Sequence, residues 1–218
     1  MEENELKGVA AQLRKPEGEY ALQIAERMNT GNALMNLNTI KSLPLKENQT
    51  VVEIGMGNGL FVKYVLELAE NISYFGCDYS PEMVDESCRI NAEQIKAGSV
   101  KFIHTHAHAL PFAESSVDCI FTVNTLYFWD DYSKVFNELK RVLRKEGVLT
   151  LSIRPRSSME KYPFTQYGFR LFSKEEAFEL LEEHGWTVLD FQEIEEDDQD
   201  ILGVKRPKET LIIRSQIK

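Results

Sequence analysis

Hydrophobic positions along the chain switch between two periods, and the switching predicts the architecture. Short apolar runs of strand length fall at residues 50–54, 73–77, 100–104, 119–123 and 148–153. Between them, apolar residues recur at helical spacing over 60–69, 81–97 and 132–143. Pro81 suits a first helical turn with Ser80 as its N-cap, and Gly98 suits the stop. Strands separated by helices at this spacing imply βαβ units, and so a doubly wound, mainly parallel sheet with helices on both faces. Past Pro155 an irregular stretch leads to a helix at 174–184, opened by Ser173 and ended by Gly185. Two final strands, 186–193 and 210–214, read as an antiparallel hairpin. Ahead of the first strand, 6–15 and 20–43 are helical, broken at Pro16-Glu17-Gly18 and closed by Pro44. Residues 1–45 are expected to form a helical lid and 46–218 a single α/β domain.

Charge and composition narrow the partners. The 35 acidic against 25 basic residues give a net charge of −10, with Lys and Arg scattered, which disfavours nucleic acid and anionic membrane. Acid concentrates at 193–200, read as a solvated turn inside the last hairpin. Cys77, Cys88 and Cys119 show no C-x-x-C spacing and leave an odd thiol, which argues for a reducing compartment, by default the cytoplasm. The acidic start lacks the basic and apolar stretches of a secretory signal, and no run approaches a membrane span.

The densest chemistry follows the first strand, in V-V-E-I-G-M-G-N-G over residues 51–59. Glycines at every second position let the backbone bend tightly and bring main-chain N–H groups against a ligand. Glu53, just before the loop, suits a cationic group better than a pyrophosphate. In a parallel sheet the ligand lies beyond the strand C-termini, which directs attention to Asp78-Tyr79, to 105–112 and to 124–130. Asp78 stands about 20 residues past the loop, the spacing at which a carboxylate reaches a ribose diol.

Four motifs in register, V-V-E-I-G-M-G-N-G, G-C-D-Y-S-P-E-M-V, A-L-P-F-A-E-S-S-V-D-C-I-F and F-N-E-L-K-R-V-L-R-K-E-G-V-L-T-L-S-I, make the chain resemble the class I S-adenosylmethionine-dependent methyltransferases over about residues 37–155. The likeness is to the small-molecule, quinone-biosynthesis-like branch. It implies a Rossmann-like seven-stranded sheet, S-adenosylmethionine as cofactor and methyl transfer to a small-molecule acceptor. By that resemblance Gly55, Gly57 and Gly59 approach the methionine and ribose parts, Glu53 accepts hydrogen bonds at that end, and Asp78 holds the ribose hydroxyls. Tyr79 and Met83 pack near the adenine, Ala107 donates its N–H to the ring, and the Asn124 carbonyl faces the cofactor's amino group. Many relatives place Asp where this chain has His106; a neutral imidazole accepts from the adenine amino group, whereas a protonated one does not.

Other readings of the same residues compete. A nicotinamide dehydrogenase wants G-x-G-x-x-G, but its third glycine position is Leu60 here and Gly59 comes one residue early. His104, His106 and His108 alternate as metal ligands can, yet no nearby Cys or acid completes a set, and they read as strand and loop residues beside the adenine. The aromatic run Tyr127-Phe128-Trp129 favours an acceptor pocket, with Tyr127 and Trp129 as lining. Tyr127, His108, Asp130 and Asp131 are candidates for a general base where the acceptor must lose a proton. Arg154, Arg156 and Arg170, with Tyr162 and Tyr167, border the expected acceptor side, where Arg154 would meet a carboxylate or phosphate. Tyr20, Met28, Asn29 and Asn32 would close over the cofactor. A noncatalytic cofactor-binding protein on the same fold is the alternative in another class.

Overall fold

The computed structural model describes the backbone of residues 2–201 and 204–218, and the side-chain surroundings of these except residues 197–207. Three helices come first, α1 (Glu3–Arg14), α2 (Ala21–Gly31) and α3 (Ala33–Ser42). The alternating part follows as β1 (Thr50–Ile54), α4 (Val62–Leu66), β2 (Ser73–Asp78), α5 (Pro81–Ile90), α6 (Ala92–Lys96), β3 (Val100–His104), β4 (Val117–Val123), α7 (Tyr132–Val142) and β5 (Leu143–Ile153). The chain closes with α8 (Arg156–Met159), α9 (Lys174–Glu183), β6 (Trp186–Ile201) and β7 (Val204–Ile217). The seven strands form one sheet in the order β3-β2-β1-β4-β5-β7-β6. The first five are parallel, and β7 runs antiparallel to both β5 and β6. The chain is thus α/β and doubly wound, with strand order reversing between β1 and β4, where such sheets open a crevice.

Each face of the sheet carries its own core. Val52, Ile54, Ile120 and Leu149 pack with α7 and α9, while Val51, Tyr74, Cys119 and Phe121 pack on the other side with α3 and α4. Among the described residues no helix is long and apolar enough to cross a membrane.

Three expectations change. The predicted helix over 81–97 is broken at Asn91, whose side chain turns back to donate to Ser87 O at 3.0 Å and Gly59 O at 3.1 Å. A side-chain amide that bonds nearby backbone competes with continuation of the helix. The hairpin strands run well past their predicted ends, because cross-strand pairing continues through Glu195↔Glu209 and Glu196↔Lys208. The start of the acidic stretch is therefore strand and not turn. Glu196 in it is 6% exposed, compensated there by Arg154 and Thr210.

Candidate cofactor cleft

The loop after β1 turns through three positive-φ glycines, Gly55 (73°), Gly57 (58°) and Gly59 (69°), a region that side chains with a Cβ rarely enter. They do different things. A Cβ on Gly55 would stand 2.4 Å from Thr125 Cγ2, so this glycine lets the loop lie against the end of β4. A Cβ on Gly57 would meet nothing within 4 Å, because that space is the open cleft. A cradle that only a side chain would fill is what a ligand lying on backbone requires, and it fits the adenosyl cofactor implied by the sequence. Gly59 corrects an expectation. Its Cβ would come within 2.9 Å of Asn91 Nδ2 and 3.1 Å of Ser87 Oγ, so it serves close packing on α5, outside the cleft lining.

Two buried carboxylates form the floor. Asp78 accepts from Gly57 N at 3.1 Å and Ser80 N at 2.9 Å, which locks the end of β2 to the glycine loop. Burial pushes its pKa up to about 6, against the backbone N–H groups that favour its charge. Glu53 accepts from Tyr74 Oη at 2.5 Å. Desolvation raises it to about 7; the Tyr74 bond opposes the rise and the charge of Asp78 adds to it.

The walls come from the other strand ends. Tyr79, Met83, His106, Ala107 and Asn124 all line the cleft, as do Trp129, His108 and Asp130. Tyr79, His106 and His108 form a column of rings with centroids 5.7 and 5.1 Å apart, and His104 Nε2 lies 3.0 Å from Tyr79 O. Asn124 holds a positive φ of 59°, uncommon outside glycine, which turns the chain at the mouth of β4. Helices α1 to α3 form the roof through Arg14, Met28, Asn29, Asn32 and Asn36. Arg14 reaches across to both oxygens of Asp130 at 2.6 Å, and Lys134 pairs with Asp131 at 3.1 Å. The lysine and arginine side chains lining this space of about 370 Å³ are therefore both met by aspartates.

Two further predicted residues stand elsewhere. Tyr127 is 3% exposed; its hydroxyl packs between Asn124 Oδ1 at 3.1 Å and the backbone of Arg154. Burial drives its pKa far up, so it supports Asn124 from behind and does not suit a base. Arg154 is 3% exposed, and both ends of its guanidinium face Glu196, at 3.0 and 3.1 Å. A buried arginine keeps its charge only with such a partner, which takes it out of acceptor binding. Arg156 pairs with Glu176, Arg170 lies over the Tyr132 and Phe172 rings, and Tyr20 is 58% exposed on the outer surface. The sequence reading missed Arg14, Asn36, Asn58 and Phe61, which line the cleft. Of these, only Asn58 carried a signal, as the polar residue between two loop glycines.

With this geometry established, likenesses to known proteins add the family. Residues 52–151 match the family described as "Methyltransferase domain". A ubiquinone/menaquinone biosynthesis C-methyltransferase from a Marinomonas species is 31% identical over 63% of this chain and 56% of its own length, so the chain spans about half of that relative. An uncharacterized Methanocaldococcus jannaschii protein is 30% identical over 68% of this chain and 72% of its own. A solved S-adenosylmethionine-dependent methyltransferase from Aquifex aeolicus shares the fold at a TM-score of 0.71, with 21% identity, over 89% of this chain and 97% of that one. The glycine cradle, the strand order and these likenesses agree, and the chain belongs to the class I S-adenosylmethionine-dependent methyltransferases.

Proposed function

We propose that the chain moves a methyl group from S-adenosylmethionine to an uncharged small-molecule acceptor by in-line displacement. When bound, this cofactor supplies a sulfonium-activated methyl, so the protein's task is to align the acceptor and exclude water. Asp78 is the observation that carries the reading. Its carboxylate is anchored by two backbone N–H groups at the cleft floor, where a ribose diol can donate to its oxygens. The backbone at Gly55 and Gly57, with Glu53 beneath, takes the methionine side, while Tyr79, Met83, His106 and Ala107 take the adenine. Helices α1 to α3 act as the lid over both ligands.

On the acceptor side stand Phe128, Trp129, His108 and Asp130. The pairing of Arg14 with Asp130 and of Lys134 with Asp131 supports an acceptor without negative charge. Aromatic walls favour a planar or apolar body. His108 and Asp130 are the groups placed to take a proton where the acceptor must lose one. The name of the Marinomonas relative, a ubiquinone/menaquinone biosynthesis C-methyltransferase, refers to small molecules and supports that size of acceptor.

Calorimetric titration tests the cofactor. S-adenosylhomocysteine binds and NADH does not, and Asp78→Ala weakens binding by about tenfold or more, since a hydrogen bond to a charged group is worth roughly 1.5–3 kcal/mol. Binding of NADH alone overturns the assignment. Labelled methyl transfer onto neutral phenols, amines and quinols, against carboxylates and phosphate esters, then tests the acceptor. Binding without turnover on any of them would favour a noncatalytic protein.

A further inference from the structure

The roof of the cleft carries a group of amides that the reading above leaves without a task. Asn29 and Asn32, at the end of α2, and Asn36, on α3, line the cleft together with Asn58 of the glycine loop. Their internal bonds fix which atoms remain for a ligand. Arg154 can only donate, and its Nη2 lies 3.4 Å from Asn32 Oδ1, so the Asn32 amide keeps its N–H₂ for the cleft. Asn36 Nδ2 donates to Asn32 O at 2.9 Å, which leaves Asn36 Oδ1 as an acceptor. Asn29 and Asn58 bond to each other at 3.1 Å, and whichever donates, the pair retains one unengaged N–H₂ group and one unengaged carbonyl. Asn58 is 6% exposed, so its polar atoms face either this partner or a bound molecule.

The groups left wholly unengaged are two amide N–H₂ groups and two carbonyls, without charge. A carboxylate needs the donors and an ammonium needs the acceptors, and an α-amino acid presents both on adjacent atoms. Among the described residues the cleft offers a carboxylate no lysine or arginine free of an aspartate, since Arg14 and Lys134 are held by Asp130 and Asp131. Neither of the buried acids on the floor can serve it.

We propose that Asn29, Asn32, Asn36 and Asn58 form the recognition site for the zwitterionic amino-acid end of the cofactor, and that Arg154 is a positioning residue that sets the Asn32 amide for it. The inference rests on the cofactor reading above. It also explains why an arginine is buried where the hairpin meets the end of α2. Arg154 contacts Gly31 O at 3.3 Å as well as Asn32, and Lys208 Nζ donates to the same carbonyl at 2.9 Å, so the hairpin holds this corner of the roof in place.

The test compares two ligands that differ at the amino-acid end, S-adenosylhomocysteine and 5′-methylthioadenosine, by calorimetry on wild type and on Asn32→Asp. The aspartate retains an acceptor for Arg154, so thermal stability is expected to hold, while it removes the donor and adds a like charge. S-adenosylhomocysteine affinity falls about tenfold or more, and methylthioadenosine affinity stays within about twofold. Asn58→Asp serves as the second variant, with the same expected split. Equal losses for both ligands, or no loss for either, overturn the proposal. If wild type binds neither ligand, the cofactor reading itself fails and this inference falls with it.

Discussion

Glu53 is a carboxylate with a hydroxyl for a neighbour and no cation, and that makes it titrate near neutrality. Its folded pKa of about 7 lies above the ordinary glutamate range, so Glu53 favours the fold while protonated. That contribution is present below the unfolded pKa and is lost as pH rises through about 7. On the proposed cofactor placement the ligand reverses the preference, because an ammonium beside Glu53 needs the charged form. S-adenosylhomocysteine affinity is therefore expected to climb between about pH 5.5 and 7.5, with a proton released on binding below about pH 7. Titrations in buffers of different ionisation enthalpy measure that proton. Glu53→Gln removes the part of the climb centred near pH 7 and leaves the part near pH 6 that Asp78 contributes; an unchanged climb in Glu53→Gln would contradict the assignment. Residue types and strand ends pointed to Glu53, Asp78 and Asn124, yet nothing in their order in the chain indicates that Tyr74 lies under Glu53. That contact arises across neighbouring parallel strands, from Val51↔Tyr74 and Glu53↔Gly76 pairing.

At the scale of elements, the glycine loop and α5 act as one packed unit. Ser87 Oγ donates to Met83 O at 2.7 Å and also lies 3.0 Å from Gly57 O, and Asn91 donates to Gly59 O, so small polar residues on α5 hold the loop from behind. Two alanine substitutions separate the roles of the glycines. Gly57→Ala costs about 1–2 kcal/mol of stability for its left-handed backbone, but places a methyl in the cleft and weakens the cofactor far more than the fold. Gly59→Ala adds a clash with Asn91 and Ser87 to similar strain, and is expected to lose a further 1–3 kcal/mol or so of stability. Chemical denaturation and ligand titration on both variants check the contrast; equal effects would contradict it. The strands near 50, 73, 100 and 119 were legible because apolar runs bounded by turn residues have few alternatives. The break at Asn91 was not, since α5 and α6 share one amphipathic pattern and the interruption comes from an amide reaching the loop.

Across the whole molecule, the buried pair Arg154–Glu196 joins the last hairpin to the roof, and Arg154 backbone joins it to Tyr127 and so to Asn124. Arg154→Met leaves Glu196 charged and without this partner, and is expected to cost about 3–5 kcal/mol, while the double change Arg154→Met with Glu196→Leu recovers most of it. Urea unfolding of wild type, single and double variants gives the comparison. A double variant no more stable than the single would show that the pair's coupling is weak. The class of fold, the glycine cradle and the acid at the end of β2 were determined by the sequence alone, because periodicity, backbone freedom and strand-end position are local properties that each residue type expresses without distant partners. Arg154 and Tyr127 had the right chemistry and the right place in the chain for an acceptor pocket. Only the tertiary structure decided that one is neutralised by a hairpin 42 residues on and that the other is buried behind Asn124. A side chain's chemistry is set by its type, but its availability is set by what the fold packs around it, and burial and ion pairing are properties of residues far apart in the chain.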